Sequence, residues 1–521
     1  MTTAAPSPRS APGSPWLFGP RSDLLFGCGL LYTLLFGAFL VAGPELRSLQ
    51  PLWVAAAVTL LIGTPHYGAT LLRVYEHRSD RRGYVIFSLW ATLAVIAAFV
   101  AGLWLPAVGI FLVTLYLSWS PWHYTGQNYG LAVMFLRRGG VALDPRLKRW
   151  LYLSFLLSFV LVFLEMHTAA QAASDVPAGY ASLGGVHFAP LGIPVEVAKG
   201  AGLVVFAAYV LALGRCVIAF RSAPARVLLP VALLAFSQVL WFSLPFALKL
   251  FGVAPKLDVL SFEFRTHYFL WIAGAHSLQY LWVTAYYARQ AGNWRGQLPN
   301  YLRVFAAGAA AWTLPALVFS PLAFGPLAFD HGLALMIAAA VNLHHFILDG
   351  AIWKLRGRIA EVLIRSGPAV SEDGPRRAFV RPLVWASCAA LLLVNVVGVI
   401  GEQLFVREVE SQRYTSAKRI AEWLPWLGRD RASWRLEFGE RLLRGRYFGE
   451  ARQQLRVSEA LAPSAKAQVL IGMSYEAQQD WARAVEAYEA ALAQDPDDAE
   501  LQELVARARA AAAPQSAASN S

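Results

Sequence analysis

Charge is what this chain has little of: Asp, Glu, Lys and Arg make up 15% of its 521 residues, against roughly 25% in a soluble globular protein. That shortage excludes an ordinary soluble enzyme of this length. Cysteine is scarcer still. Cys28, Cys216 and Cys388 all stand inside apolar stretches, so neither a disulfide framework nor a cysteine zinc motif is expected. Also missing are a P-loop, a GxSxG elbow and an HEXXH zinc-protease motif. No cleavable signal peptide stands out. The net charge is +12, but the basic residues collect in short loops between apolar runs. That pattern assigns the excess to membrane topology and not to nucleic acid.

What is abundant is apolar sequence, 57% of the chain. Runs at 24–43, 51–73, 84–105, 107–136, 150–169, 199–220, 227–248, 266–288, 302–323, 329–353 and 379–400 are each long enough to cross about 30 Å of hydrocarbon. The predicted fold is therefore all-α: a polytopic transmembrane bundle of about eleven helices over residues 23–401, preceded by a disordered tail, 1–22. Loops rich in Lys and Arg follow every second run, beginning with Arg73, Arg78, Arg81 and Arg82. By the positive-inside rule this places the N-terminus in the cytoplasm and the C-terminus outside, across a bacterial inner membrane. A long external loop, 170–198, carries His187 and is expected to cover the outer mouth of the bundle.

Past Gly401 the apolar runs stop. Gly439, Ala451 and Pro463 recur 33 residues later as Gly472, Ala484 and Pro496, and the second copy adds Tyr475, Tyr488 and Ala491. This spacing resembles the tetratricopeptide repeat, which implies stacked helix pairs and a surface for a protein partner. The first copy departs from the pattern at Leu442 and Ser458. The expected layout is a linker and capping helix at 402–431, a repeat domain at 432–512 and a disordered tail at 513–521.

The candidate chemistry lies in histidines inside the apolar runs: His66, His123, His267, His276, His344 and His345. Ionisable side chains in a membrane are costly and face a bundle interior or a cavity. His66, His344, His276 and His123 precede Arg73, Lys354, Arg289 and Arg137 by 7, 10, 13 and 14 residues. All four helices run the same way, so these depths agree within roughly 10 Å at 1.5 Å per residue. His267 lies nearer the outer end. His345 and Asp349 are four apart on one helical face, as are His123 and Gln127, while Tyr280 follows His276. Pro65 and Pro121 would kink their helices beside a histidine and free backbone carbonyls there.

Imidazole with carboxylate and without thiolate suits iron, zinc, copper or manganese. The metal ligands read from the sequence are His66, His123, His276, His344 and His345. Asp349, Tyr280 and Gln127 are the polar groups assigned to catalysis. Gly63-Thr-Pro-His66-Tyr-Gly68-Ala69 is similar to the Gly-x-Pro-His-Gly-Ala stretch of the Brp/Blh membrane β-carotene dioxygenases, although Tyr67 interrupts the motif. The resemblance implies a polytopic fold with histidine-held iron, and it carries over only His66. The expected function is a membrane oxidoreductase with non-haem iron, acting on a lipid or isoprenoid. Three alternatives stand beside it: a b-type haem between two histidines, a membrane acyl- or glycosyltransferase using a histidine base, and a transporter or assembly scaffold with a repeat-bound partner.

Overall fold

Backbone amides in hydrocarbon find no water, so a chain this apolar must satisfy them internally. The computed structural model describes residues 14–42, 52–75, 84–169, 186–250, 262–290, 294, 296–355, 357–365 and 380–519. Their regular elements are helices, with one isolated bridge between Thr168 and Ile193. Contacts divide the chain into two compact units, one of residues 1–181, 187–312 and 338–393 and one of 182–186, 313–337 and 394–521.

Among the described residues, eight helices are long and apolar enough to cross a membrane: Trp53–Tyr75, Ile86–Trp104, Pro145–Met166, Val195–Phe220, Ala225–Ser243, Gln297–Val318, Phe329–Ile352 and Pro382–Glu410. The expectation of about eleven is corrected accordingly, and the three shortfalls have physical causes. The first run breaks at Cys28, where Gly29 takes φ 70°, and the helix that follows, α1 (Leu30–Ala42), has only 13 residues. The runs at 107–136 and 266–288 do form long helices, Pro106–Arg138 and Phe262–Gln290. Their polar residues, His123, Gln127 and Asn128 in one and His276, Ser277 and Gln279 in the other, make them too polar to qualify by composition. The two helices that fail the apolar criterion are thus two that carry candidate site residues.

The first unit is built around α2 (Thr64–Tyr75), α3 (Thr92–Trp104), α4 (Pro106–Arg138), α5 (Pro145–Met166), α6 (Val195–Phe220), α7 (Ala225–Gln238), α8 (Phe262–Gln290) and α9 (Gln297–Val318, of which residues to 312 belong here). It also takes in most of α10 (Ala334–Ile352) and the short α11 (Gly357–Leu363). Outward faces are apolar, as with the exposed Val204, Leu211, Val217 and Ile218 of α6. Gly68 and Gly308 let two backbones touch. A Cβ at Gly68 would overlap the Val304 carbonyl and the Gly308 nitrogen, the close approach that small residues permit between membrane helices. This crossing fixes the helix that bears His66. Residues 14–22, expected in a free tail, are held instead. Asp23 accepts from the backbone N–H groups of Leu17 (2.5 Å) and Phe18 (3.2 Å), and Arg138 donates to the carbonyls of Pro15 (3.1 Å) and Trp16 (2.8 Å). Most of the expected loop, 170–185, lies outside the described residues.

The second unit takes α12 (Val380–Glu410) from residue 394 on, and this helix runs unbroken past the expected boundary at residue 401. Then come α13 (Tyr414–Trp423) and the pairs α14 (Ala432–Arg444) with α15 (Phe448–Leu461) and α16 (Ala465–Glu476) with α17 (Trp481–Gln494). The last helix, α18 (Ala499–Ser519), continues through the expected C-terminal tail. Ala451 and Ala484 are fully buried, and Gly439 and Gly472 lie against Leu455 and Tyr488. The departures from the repeat pattern are absorbed: Leu442 is buried, and buried Ser458 donates to the Ala432 carbonyl at 2.7 Å. The segment 402–431 is more than a linker. Buried Glu402 pairs with Arg429 (3.2 Å) and Arg431 (2.9 Å), and Asp330 caps the N-terminus of α14 by accepting from Ala432 N (3.0 Å) and Ser433 N (2.9 Å).

Candidate metal centre

Two prolines prepare the backbone at the site. A π-helical turn, Thr59–Gly63, precedes Pro65, and the Thr64 hydroxyl donates to the Thr59 carbonyl at 3.1 Å. Pro121 sits inside α4, where the neighbouring Ser120 hydroxyl donates to the Tyr116 carbonyl at 2.7 Å. Both prolines lack an N–H, and both irregularities stand within two residues of a histidine, the placement tolerated where backbone lines a polar interior.

Four imidazoles converge from α2, α4, α8 and α10. Ring centroids are 4.3 Å apart for His66 and His345, 4.8 Å for His66 and His276, 4.8 Å for His123 and His276, and 4.9 Å for His123 and His345. The rings form a closed quadrilateral packed edge to face, with no gap for a planar macrocycle between any two. Nitrogens of His66, His276 and His345 lie within 4.8 Å of one another, and so do the ligand atoms of His123, His345 and Asp349. His276 and His345 are each 1% exposed and Asp349 is 7% exposed.

A network of hydrogen bonds holds the outer side of His345. Trp353 Nε1–H donates to the Tyr280 hydroxyl at 3.0 Å, and Tyr280 donates to Asp349 Oδ1 at 2.7 Å. The Thr70 hydroxyl lies 3.2 Å from the same oxygen, 2.6 Å from the Tyr280 hydroxyl and 2.8 Å from His345 Nδ1. With Nδ1 held there, His345 Nε2 is turned toward the cluster. It faces His66 Nε2 at 2.8 Å, while His66 Nδ1 lies 3.0 Å from Ser277 Oγ. Asp349 Oδ2 is 3.4 Å from His345 Nε2 and 3.9 Å from His123 Nε2.

Three other nitrogens have nothing to bond. Neither ring nitrogen of His276 nor Nε2 of His123 finds a hydrogen-bond partner among the described residues. Buried polar atoms are normally paired, and exceptions call for an explanation such as an ion. The donor set, imidazole nitrogen with one carboxylate and no thiolate, could hold a transition metal.

One comparison with known proteins returns a match: the family model for the tetratricopeptide repeat covers residues 465–498. No curated protein and no solved structure matches the chain. The match takes in the second expected repeat, α16 and α17. The resemblance of the His66 stretch to the Brp/Blh dioxygenases gains no support.

Of the residues singled out in the sequence, the structure gathers His66, His123, His276, His345, Asp349 and Tyr280. It does not gather His344. One residue on a helix turns a side chain by about 100°, and His344 faces away, its Nδ1 2.6 Å from the Tyr67 hydroxyl and its Nε2 2.7 Å from Thr92 Oγ1. Its place among the ligands is corrected to that of a tether joining α2, α3 and α10. Gln127 lies beside the cluster but spends its amide N–H groups on the His276 carbonyl (3.0 Å) and Gln279 Oε1 (3.0 Å), so it clamps α4 to α8. His267 falls where side chains lie outside the described residues. Sequence reading missed Thr70, Ser277 and Trp353. The signal for two of them was present, since Thr70 follows His66 by four and Trp353 follows Asp349 by four, the helical spacing that puts side chains on one face.

Proposed function

We propose that this chain is an integral membrane oxidoreductase whose cluster of His66, His123, His276 and His345, with Asp349, holds non-haem iron and acts on a lipid or isoprenoid. The observation that carries the reading is the convergence of unpartnered nitrogens on His123 and His276 with the Nε2 atoms of His66 and His345, which face each other at 2.8 Å. Iron bound there would supply electron-transfer and oxygen chemistry. The rest is the work of the chain's own residues. Asp349, accepting hydrogen bonds from Tyr280 and Thr70, would contribute negative charge against a cation. Thr70 and Ser277 hold the outer nitrogens of His345 and His66 and so aim the inner ones, the role that outer hydrogen bonds play around metal-binding histidines. A haem reading has less to support it, because a macrocycle between any two of the rings would collide with the others.

The eight apolar helices and their exposed aliphatic faces support a place in the membrane. Loop charge supports a cytoplasmic N-terminus in a bacterial inner membrane, with the repeats outside. Tetratricopeptide repeats commonly bind proteins, which supports a protein partner at 432–512.

The test is to purify the full chain in mild detergent and measure bound metal and the absorption spectrum, beside His345→Ala. Iron in the parent, lost in a variant that remains folded, is the expected result. A well-folded parent that stays metal-free after growth in iron-supplemented medium would end the reading and favour the acyltransferase, transporter or scaffold alternatives.

A further inference from the structure

A groove of about 240 Å³ runs from the metal centre between α4, α8 and α10. Its lining on α4 falls at Trp122–His123, Gly126–Gln127, Gly130–Leu131 and Met134, one helical face over roughly 18 Å at 1.5 Å per residue. One end is marked by His123 and Asp349, 3.9 Å apart. The other is marked by Lys354, Leu355 and Leu363, where Arg137 donates to the Leu355 carbonyl at 3.5 Å. Trp122, Gly126, Gly350 and Lys354 are exposed, so the groove opens sideways at the surface of the helix bundle.

Three glycines give this groove its width. A Cβ added at Gly126, Gly130 or Gly350 would meet no atom within 4 Å. None of the three has a positive φ. Neither backbone conformation nor packing therefore requires glycine there, in contrast to Gly68 and Gly308. Glycine is a poorer helix former than alanine, so all three positions give up helix propensity, and what they leave is space. The walls are apolar, with Leu131, Met134, Val283 and Phe346 among them. Among the lining residues Asp349 is the acid and sits at the inner end, while Lys354 is the cation and sits at the outer one. His123, with a side chain 9% exposed, lines the inner end, and its Nε2 has no hydrogen-bond partner among the described residues. The volume lies below the roughly 300–1,000 Å³ of common ligand clefts, and spread over three helical turns it admits one slender chain.

We propose that this groove seats a single-chain anionic lipid, a fatty carboxylate, with its head at Lys354 and its hydrocarbon chain running past the glycines to His123. The carbon brought to the metal centre is then remote from the head group. The chemistry at that carbon rests on the metal-centre reading, but the binding does not.

The experiment uses the full chain in nanodiscs of a neutral, zwitterionic lipid, with palmitate, hexadecanol and inorganic phosphate as probes and with metal content measured on every sample. Palmitate should bind saturably, hexadecanol about tenfold more weakly, and phosphate not at all, the difference being one charge-assisted hydrogen bond at the head. Lys354→Glu should remove the preference for palmitate and leave hexadecanol unchanged. Gly130→Leu should abolish binding of both chains with metal content and melting temperature held, and Gly130→Ala should bind nearly as the parent does. A photoreactive palmitate labelled at its terminal carbon should crosslink near Trp122 and Phe346, and one labelled beside the carboxylate near Leu355 and Leu363. Crosslinks elsewhere, or binding unchanged in Gly130→Leu, would overturn the proposal. Bound iron without palmitate binding would overturn the groove and leave the metal centre standing. Palmitate bound as described in a protein that takes up no metal would do the reverse.

Discussion

In the repeat region Gly472 packs against Tyr488, a residue on the next helix. At the histidine cluster of the candidate site His66 meets His345 across 279 residues. The first contact belongs to a helix pair that nearest neighbours can assemble, so a fixed spacing of small and aromatic residues is enough to specify it. The second needs four separate helices to come to one depth and one rotation, and no local spacing can specify that. The burden of error differs too. A wrong residue among the repeats leaves a gap or an overlap, as Ser458 and Leu442 show by being accommodated in the core. A wrong rotation at the centre removes a ligand altogether, and His344 and His345, adjacent in sequence, fall on opposite sides of that line.

The sharpest way to break this contrast is to compare those two neighbours. His345→Ala should reduce bound iron to background, whereas His344→Ala should keep it and lose only stability, because its ring ties Tyr67 and Thr92. Elemental analysis of the two purified variants decides it, and equal metal loss in both would mean that the four-ring cluster is misassigned. Next in size is Tyr488→Ala, which empties a fully buried aromatic site and should cost about 3–5 kcal/mol, by analogy with other large aromatic truncations. Limited proteolysis should then cut first between residues 465 and 498, while metal content stays at the parent level. A metal loss in that variant would show that the two regions are not separable in this way. Thr70→Val keeps the shape but removes the hydroxyl that holds Nδ1 of His345. Metal affinity should fall about 10–100-fold, read by competition with a chelator, and an unchanged affinity would remove Thr70 from the argument. The smallest effect is expected for Ser458→Ala. It introduces the usual repeat residue but leaves the Ala432 carbonyl without its donor, for a loss of about 1 kcal/mol in chemical denaturation. A gain in stability would mean that the repeat pattern outweighs this hydrogen bond.

Which histidines matter was partly legible beforehand. Depth along each helix follows from a constant rise, so counting residues from the basic loops brought His66, His123 and His276 to one layer with the His344–His345 pair. Rotation about each helix is set by the partners it packs against, and the count could not separate His344 from its neighbour. The same limit explains Gln127, whose i+4 spacing from His123 suggested a role in the chemistry but whose amide is taken up by the backbone of α8. The hydropathy of the runs was legible as well, yet the helices of His123 and His276 fell below the apolar threshold because of the polar residues that make them interesting.

Composition and periodicity by themselves determined an all-helical chain with long apolar segments and a repeat near its C-terminus, because helix formation and repeat packing depend on neighbours three to sixteen residues away. Only the tertiary structure decided that four of the histidines close into one ring, that Asp349 faces them while accepting hydrogen bonds from Tyr280 and Thr70, and that three glycines leave a groove beside them. Those outcomes depend on how distant helices are turned toward one another, a quantity fixed by the packing of every face at once and written at no single position in the sequence.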